Sequence, residues 1–206
     1  EKAFTTKKPK VVVIQINSPG GSPVQSELIY NKIRLLAEKN KVKVITIAED
    51  VAASGGYMLM CAGDELLANK SSIVGSIGVI SASFGFKDLI EKLGVKRRIF
   101  TAGENKSFLD PFVDVQDKDV EKLIKVQVSI FENFKALVLK NRKEKIDADK
   151  VCNGEFWTGE QGIALGLVDS NETLATYLDN KYGKSYRIRN IESKKSFLKG
   201  IFSSRI

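Results

Sequence analysis

The sequence predicts an α/β fold with a mainly parallel sheet, and three observations carry that reading. Apolar, largely β-branched runs of strand length recur between segments whose apolar residues repeat at helical spacing. The strand-sized runs end in glycine-bearing turns, as strands do where they feed a helix through a tight loop. The resulting order of strand, helix, strand, helix, strand calls for right-handed crossovers between parallel strands. With 206 residues, 43% of them hydrophobic, the chain is long enough for one substantial core and short for two.

Lys10 to Ile16 is the first expected strand, ended by Asn17-Ser18-Pro19-Gly20-Gly21. Pro23 suits the first position of a helix capped by Ser22; Leu28, Ile29, Ile33, Leu36 and Ala37 recur at helical spacing to an end near Lys39. Val42 to Ala48 is a second strand, and Ala52-Ala53-Ser54-Gly55-Gly56-Tyr57 leads from it into an apolar helix running to about Cys61. Glu65 to Ala68 reads as a third strand, and Ser71 to Ile80 as a glycine-punctuated stretch leading into another. Phe86 to Leu93 is expected to be a short helix and Lys96 to Thr101 a strand.

Asp117 to about Lys143 predicts a long helix with an apolar stripe through Ile124, Val128, Phe131, Phe134 and Val138, widened by Leu123, Ile130 and Leu137. A stripe this broad covers a sheet or a neighbouring subunit. Thr158 with Gln161 has the pattern of a capping box for a helix ending near Gly166, and Leu174 to Tyr182 reads as the last helix. These elements make one domain over residues 1–183. Residues 184–206 are basic and are expected to form a loosely ordered tail.

Composition removes several classes of function. The chain contains no histidine, which excludes a Ser-His-Asp triad, a Cys-His pair and an H-E-x-x-H zinc site together. Cys61 and Cys152 lie far apart and outside any C-x-x-C pattern, so no structural metal site is expected, and Cys61 within Met58-Leu59-Met60-Cys61 reads as a small core residue. The net charge of +8 comes from lysines and arginines interleaved with acids, as in Lys118-Asp119-Val120-Glu121-Lys122. That is the pattern of a solvated face, and no nucleic-acid partner is expected. No apolar run approaches the roughly 20 residues of a membrane-spanning helix.

Hydrolysis by a serine needs an approachable hydroxyl, a base within hydrogen-bond reach and donors for the oxyanion. Ser54 follows two alanines and precedes two glycines at a strand-to-helix turn, so nothing bulky shields it and the Gly55 N–H lies beside it. Its structural alternative is a helix N-cap. The paired glycines Gly20 and Gly21 let backbone N–H groups face a cleft at the carboxyl end of a parallel sheet, where Gly21 and Gly55 would form an oxyanion hole; the alternative is an ordinary turn. Lys106, in Ala102-Gly103-Glu104-Asn105-Lys106-Ser107, is a candidate base, against the alternative of a solvated surface charge. Bringing a free lysine from a pKa of about 10.4 down by about 3 takes roughly 4 kcal/mol, which burial can supply and which lysine, unlike arginine, tolerates.

Four motifs in order, I-N-S-P-G-G at 16–21, A-S-G-G-Y at 53–57, G-S-I-G-V at 75–79 and A-G-E-N-K-S at 102–107, resemble the signal peptide peptidase A family, which includes the SohB-like peptidases. The resemblance spans about residues 10–170 and implies a Clp/crotonase-like superhelix of repeated β-β-α and βαβ units. It implies that Ser54 is the nucleophile, that Lys106 is the general base, that Ser76 orients that lysine, and that Gly21 and Gly55 hold the oxyanion. It also implies peptide substrates such as remnant signal peptides or other unfolded, membrane-derived segments. No metal, nucleotide or organic cofactor is implied. A homo-oligomeric ring is, with sites completed at subunit contacts and the helix from Asp117 as the candidate surface.

The family pattern G-R-x-W-T-G appears here as Gly154-Glu155-Phe156-Trp157-Thr158-Gly159, with an acid in place of arginine. The chain begins at Glu1 rather than Met, and the resemblance leads us to expect a strand and a membrane anchor upstream. The implied location is the bacterial inner membrane or cell envelope; the cytoplasm is the alternative for the chain as it stands. Two other functions share the predicted fold: a crotonase-type acyl-CoA enzyme, which has no use for a paired serine and lysine, and a catalytically silent scaffold that binds membrane proteins.

Overall fold

A computed structural model describes residues 1–191. It is an α/β fold of the Clp/crotonase type on one open, mostly parallel sheet. The first helix, α1 (Lys2–Thr5), is a single turn that buries Phe4. The strands are β1 (Val11–Ser18), β2 (Lys43–Ala53), β3 (Glu65–Ala68), β4 (Ile73–Gly75) and β5 (Phe156–Thr158). The remaining helices are α2 (Pro23–Asn40), α3 (Gly55–Met60), α4 (Lys87–Lys92), α5 (Asp117–Arg142), α6 (Ala148–Val151), α7 (Gly159–Ala164) and α8 (Leu174–Tyr182).

β2 organises the sheet because it is long enough to serve two neighbours on one edge. Its first half pairs with β3 (Ile45 with Glu65 through Ala48 with Ala68) and its last residues pair with β4 (Val51 with Ile73 through Ala53 with Gly75). β1 lies in parallel along the other edge of β2, and only β5, against β4, runs antiparallel. The second strand therefore extends past its expected end at Ala48 to Ala53. Its final residues are held by pairing with Ser18 and β4, which local sequence does not reveal.

Alternation along the strands divides the core. Val12, Ile16 and Val44 face α2, α3 and α5, together with Tyr30, Ile33, Tyr57, Met60, Phe134 and Val138. Ile45, with Val11, Val13 and Ile47, faces Tyr177 and Leu178 of α8 on the opposite side. Cys61 is fully buried in the first cluster, and burial pushes its thiol up to about 12. The capping motifs form as expected. Ser22 accepts from the Gln25 N–H ahead of Pro23, and Thr158 and Gln161 cap each other at the start of α7.

The long helix α5 is about 39 Å from end to end. Only its C-terminal part enters the core, through Phe134, Val138 and Arg142, while Ile124, Val126 and Val128 are exposed. Arg142 is 2% exposed and anchors that end: its guanidinium donates to Gly166 O and, at 2.9 Å, to both carboxylate oxygens of Asp169. Asp169 also accepts from the Leu66 N–H and from Lys145. Burial pushes the Asp169 carboxyl up, but the Lys145 and Leu66 hydrogen bonds and the Arg142 charge outweigh that and hold it below the usual carboxylate range.

Residues 80–116 form an arm. Its hydrogen bonds among the described residues run within itself and to α5: Phe86 N–H to Pro111 O at 2.6 Å, Arg97 to Asp110 at 2.9 Å, and Lys122 to Asn105. The expected strand at Lys96 to Thr101 is absent. This stretch is exposed irregular chain with no strand paired to it among the described residues, and β-branched composition alone does not make a ladder. The stretch expected to lead into a strand by Ile80 is a strand only over Ile73–Gly75, after which Gly75 and Ser76 both turn to positive φ. Most of the expected tail lies outside the described residues; 184–191 carry no helix or strand. No helix among the described residues is long and apolar enough to cross a membrane.

Candidate active site

The carboxyl ends of β1, β2 and β4 meet at one edge of the sheet, and the turns leaving them carry the predicted serines and glycines. Asn17 begins the assembly. Its side-chain amide donates to Asp50 at 2.9 Å and its carbonyl accepts from the Val51 N–H, so the β1 turn is tied to the end of β2 across a register shift. Gly20 then lies against Ser54: a methyl group on Gly20 would sit 2.8 Å from Ser54 Cβ and 3.1 Å from Gly55 N, and its φ is +119°. Only glycine fits both the space and the backbone there.

Ser54 occupies the N-cap position of α3 but does not act as a cap. An N-cap residue has extended backbone and an acceptor side chain. Ser54 has φ 52° and ψ −122°, and its side chain makes no cap hydrogen bond. Its N–H donates to Gly75 O at 2.8 Å and its carbonyl accepts from the Met58 N–H at 3.0 Å, so both its backbone groups are engaged. A non-glycine residue in this region is strained by about 1–3 kcal/mol and persists because its surroundings impose it. The imposing contacts are Gly20 on one side and, just beyond, Gly56, where a Cβ would meet Ser18 O at 2.3 Å. The result is a sharp strand-to-helix elbow that leaves the Ser54 hydroxyl uncommitted and half-buried at the carboxyl ends of the strands.

Gly55 and Gly21 are close neighbours. The point where a Gly55 Cβ would stand is 3.4 Å from Gly21 N and 2.5 Å from Ser26 Oγ. Ser76 follows the residue paired with Ala53, so the two serines leave neighbouring parallel strands, whose backbones lie about 5 Å apart. Ser76 also has φ 52°, and its N–H donates to Glu155 O at 2.6 Å. The Gly154–Gly159 segment thus reaches the site through its backbone. A carbonyl does not depend on residue type, which accounts for an acid at 155; the Glu155 side chain is exposed and hydrogen-bonded by Asn153.

Gly21, Ser54, Gly55 and Ser76 are therefore gathered at one edge, and Lys106 is not among them. It lies exposed on the arm, its N–H donating to Gly103 O at 3.2 Å, with no hydrogen bond to either serine. The hollow of about 210 Å³ on the arm, between Glu104, Leu109, Asp110, Val113 and Asp119, is separate from the serine edge. Ser26 is the neighbour of the elbow that motif reading did not single out. The glycine pair signalled Gly20, whereas nothing local marks Ser26.

The chain is similar to several known proteins. A sodium/proton antiporter NhaA of Brucella melitensis is 48% identical over 199 residues, 96% of this chain but 27% of that protein. The chloroplastic serine protease SPPA of Arabidopsis thaliana is 34% identical over 80% of the chain and 24% of its own length. A Haemophilus influenzae protein named Probable protease SohB is 32% identical over 91% of the chain and 53% of its own length. The chain thus spans about a quarter of the first two relatives and about half of the third. Residues 36–182 match the model of peptidase family S49. That match takes in the elbow, both serines, the arm and the Gly154–Gly159 segment, and the chain belongs to peptidase family S49.

Proposed function

We propose that this chain is the catalytic unit of a serine endopeptidase in which Ser54 is the nucleophile and Lys106 of a neighbouring copy is the general base. The observation that carries the reading is the strained Ser54 elbow, whose hydroxyl is released from the capping role its position offers. The Gly21 and Gly55 N–H groups are the proposed oxyanion donors and Ser76 the hydroxyl that orients the lysine. Ser54 Oγ attacks the peptide carbonyl as its proton passes to the lysine amine. The tetrahedral intermediate collapses with cleavage of the C–N bond, the lysine returns the proton to the leaving amine, and water then hydrolyses the acyl-enzyme.

The exposure of Lys106 supports a site completed between subunits rather than within one. So does the arm that carries it, which presents Ile80, Phe84, Leu93 and Phe100 to solvent, apolar side chains of the kind that a protein interface covers. Burying such an arm against a second copy would also desolvate a lysine head, which disfavours the charged form. The exposed N-terminal half of α5 continues the same surface. Membership of the family, and relatives named as proteases SPPA and SohB, support peptide substrates, with remnant signal peptides and other unfolded or membrane-derived segments as the proposed class, cleaved at the cell envelope. The proposed catalytic domain is 1–183, with 184–206 as its basic tail.

Mixing subunits tests this directly. Ser54→Ala and Lys106→Met are each expected to abolish peptide hydrolysis and fluorophosphonate labelling, and co-assembled mixtures of the two to recover a fraction of both. A wild-type chain that is folded and oligomeric yet unlabelled sinks the peptidase reading in favour of a binding scaffold.

A further inference from the structure

Ser26 stands in the first turn of α2, its N–H donating to Ser22 O at 3.1 Å, and it is only 9% exposed. Its neighbours Gln25 and Glu27 point to solvent while Ser26 points inward. What it meets is the elbow: its Oγ lies 2.5 Å from the point where a Gly55 Cβ would stand, and Gly21 N lies 3.4 Å from that same point. Among the described residues the Ser26 hydroxyl makes no hydrogen bond to protein. Its oxygen is nevertheless not sealed in, because no described side-chain polar atom is both sealed and unpartnered. Beside it, the space that a Gly21 Cβ would enter is open, with nothing beyond the chain neighbours within 4 Å.

Packing against Gly55 would be served as well by alanine, which carries no polar group to desolvate. A hydroxyl is useful here for its proton, which rotates freely toward whatever acceptor arrives. We propose that Ser26 is a third donor to the anionic oxygen formed when Ser54 attacks a substrate carbonyl, completing the pocket begun by the Gly21 and Gly55 N–H groups; this rests on the peptidase reading above. Its α2 backbone is fixed by the Ser22 cap and Pro23, so the donor is held in place before substrate arrives, as transition-state stabilisation requires.

The test compares wild type, Ser26→Ala and Ser26→Cys in the assembled full chain, reading kcat and KM on a fluorogenic peptide and inhibition by a peptide aldehyde, whose adduct places an oxygen in the same pocket. Ser26→Ala is expected to lower kcat about 10- to 100-fold with KM unchanged within about twofold, and to weaken the aldehyde by a comparable factor. Ser26→Cys, a poor donor of similar size, is expected to fall between. A kcat and aldehyde affinity at wild-type level in Ser26→Ala overturns the proposal, as does loss of assembly in both variants, which assigns Ser26 to packing. If assembled wild type neither hydrolyses peptide nor reacts with fluorophosphonate, the failure belongs to the peptidase reading and the inference falls with it.

Discussion

Replacing Gly20 with alanine tests the claim that the β1 turn imposes the Ser54 elbow. The added methyl group would stand 2.8 Å from Ser54 Cβ, 3.1 Å from Gly55 N and 3.2 Å from Ala53 O. Carbon atoms pack at about 3.5–4.0 Å, so the turn and the elbow must separate by about 1 Å. The φ of +119° at Gly20 adds backbone strain of about 1–3 kcal/mol for any side chain, and the overpacking about 1–3 kcal/mol more. For a chain of this size each kcal/mol lowers Tm by about 2–4 °C, giving a fall of about 4–24 °C.

A displacement of about 1 Å at a nucleophile can cost about 100-fold in rate. The matched control is Gly21→Ala: φ is +148°, but no atom lies within 4 Å of the added methyl group, and the N–H is retained. Only the strain remains there, so Gly21→Ala is expected to melt above Gly20→Ala; as a proposed oxyanion donor, Gly21 is the control for stability and not for activity. Intact-mass measurement of fluorophosphonate labelling, paired with thermal melts, reads both quantities. Equal Tm values for the two variants would refute the steric argument whatever the activity, and wild-type labelling of Gly20→Ala would refute the coupling of the turn to Ser54.

Two further outcomes concern the anchor of the long helix. Arg142→Ala removes the donors of Gly166 O and a partner of Asp169 from a site where the arginine is 2% exposed. Breaking such a buried pair costs about 3–5 kcal/mol. Urea denaturation followed by circular dichroism checks it, and a loss below about 1 kcal/mol would show that Lys145 suffices for Asp169. The Asp169 carboxyl is held below its ordinary value in the folded chain, so its contribution is fully present above the unfolded value of about 3.9 and is lost as pH falls through the lower folded value. Melts between about pH 6 and pH 2, which bracket that value, should show wild type losing more stability on acidification than Asp169→Asn; parallel curves would contradict the assignment.

How far the chain could be read from its sequence depended on the range of the interactions. Elements whose signals lie within a few residues formed where expected. Ser22-Pro23 and Thr158 with Gln161 cap their helices, Glu65–Ala68 is a strand, and Leu174–Tyr182 is a helix to the residue. Pairing partners were not readable locally, and there the reading erred. Residues 96–101 have strand-like composition but no strand paired to them among the described residues, and β2 continues to Ala53 because Ser18 and β4 pair with its end.

The candidate site divides in the same way. By itself the sequence determined an α/β chain without histidine, with a serine between small residues at a strand-to-helix turn and glycine pairs at the neighbouring turn, because residue type and short spacing state these directly. Only the tertiary structure decided what Ser54 is. Whether a serine at that position caps its helix or stands free depends on a backbone angle imposed by the β1 turn, through Gly20 against Ser54 and Ser18 O against Gly56. Tertiary packing likewise put Ser26 against Gly55 and left Lys106 in solvent on the arm. Contacts between residues distant in the chain are set by how the sheet and helices close on one another, and neither periodicity nor motif spacing encodes that closure.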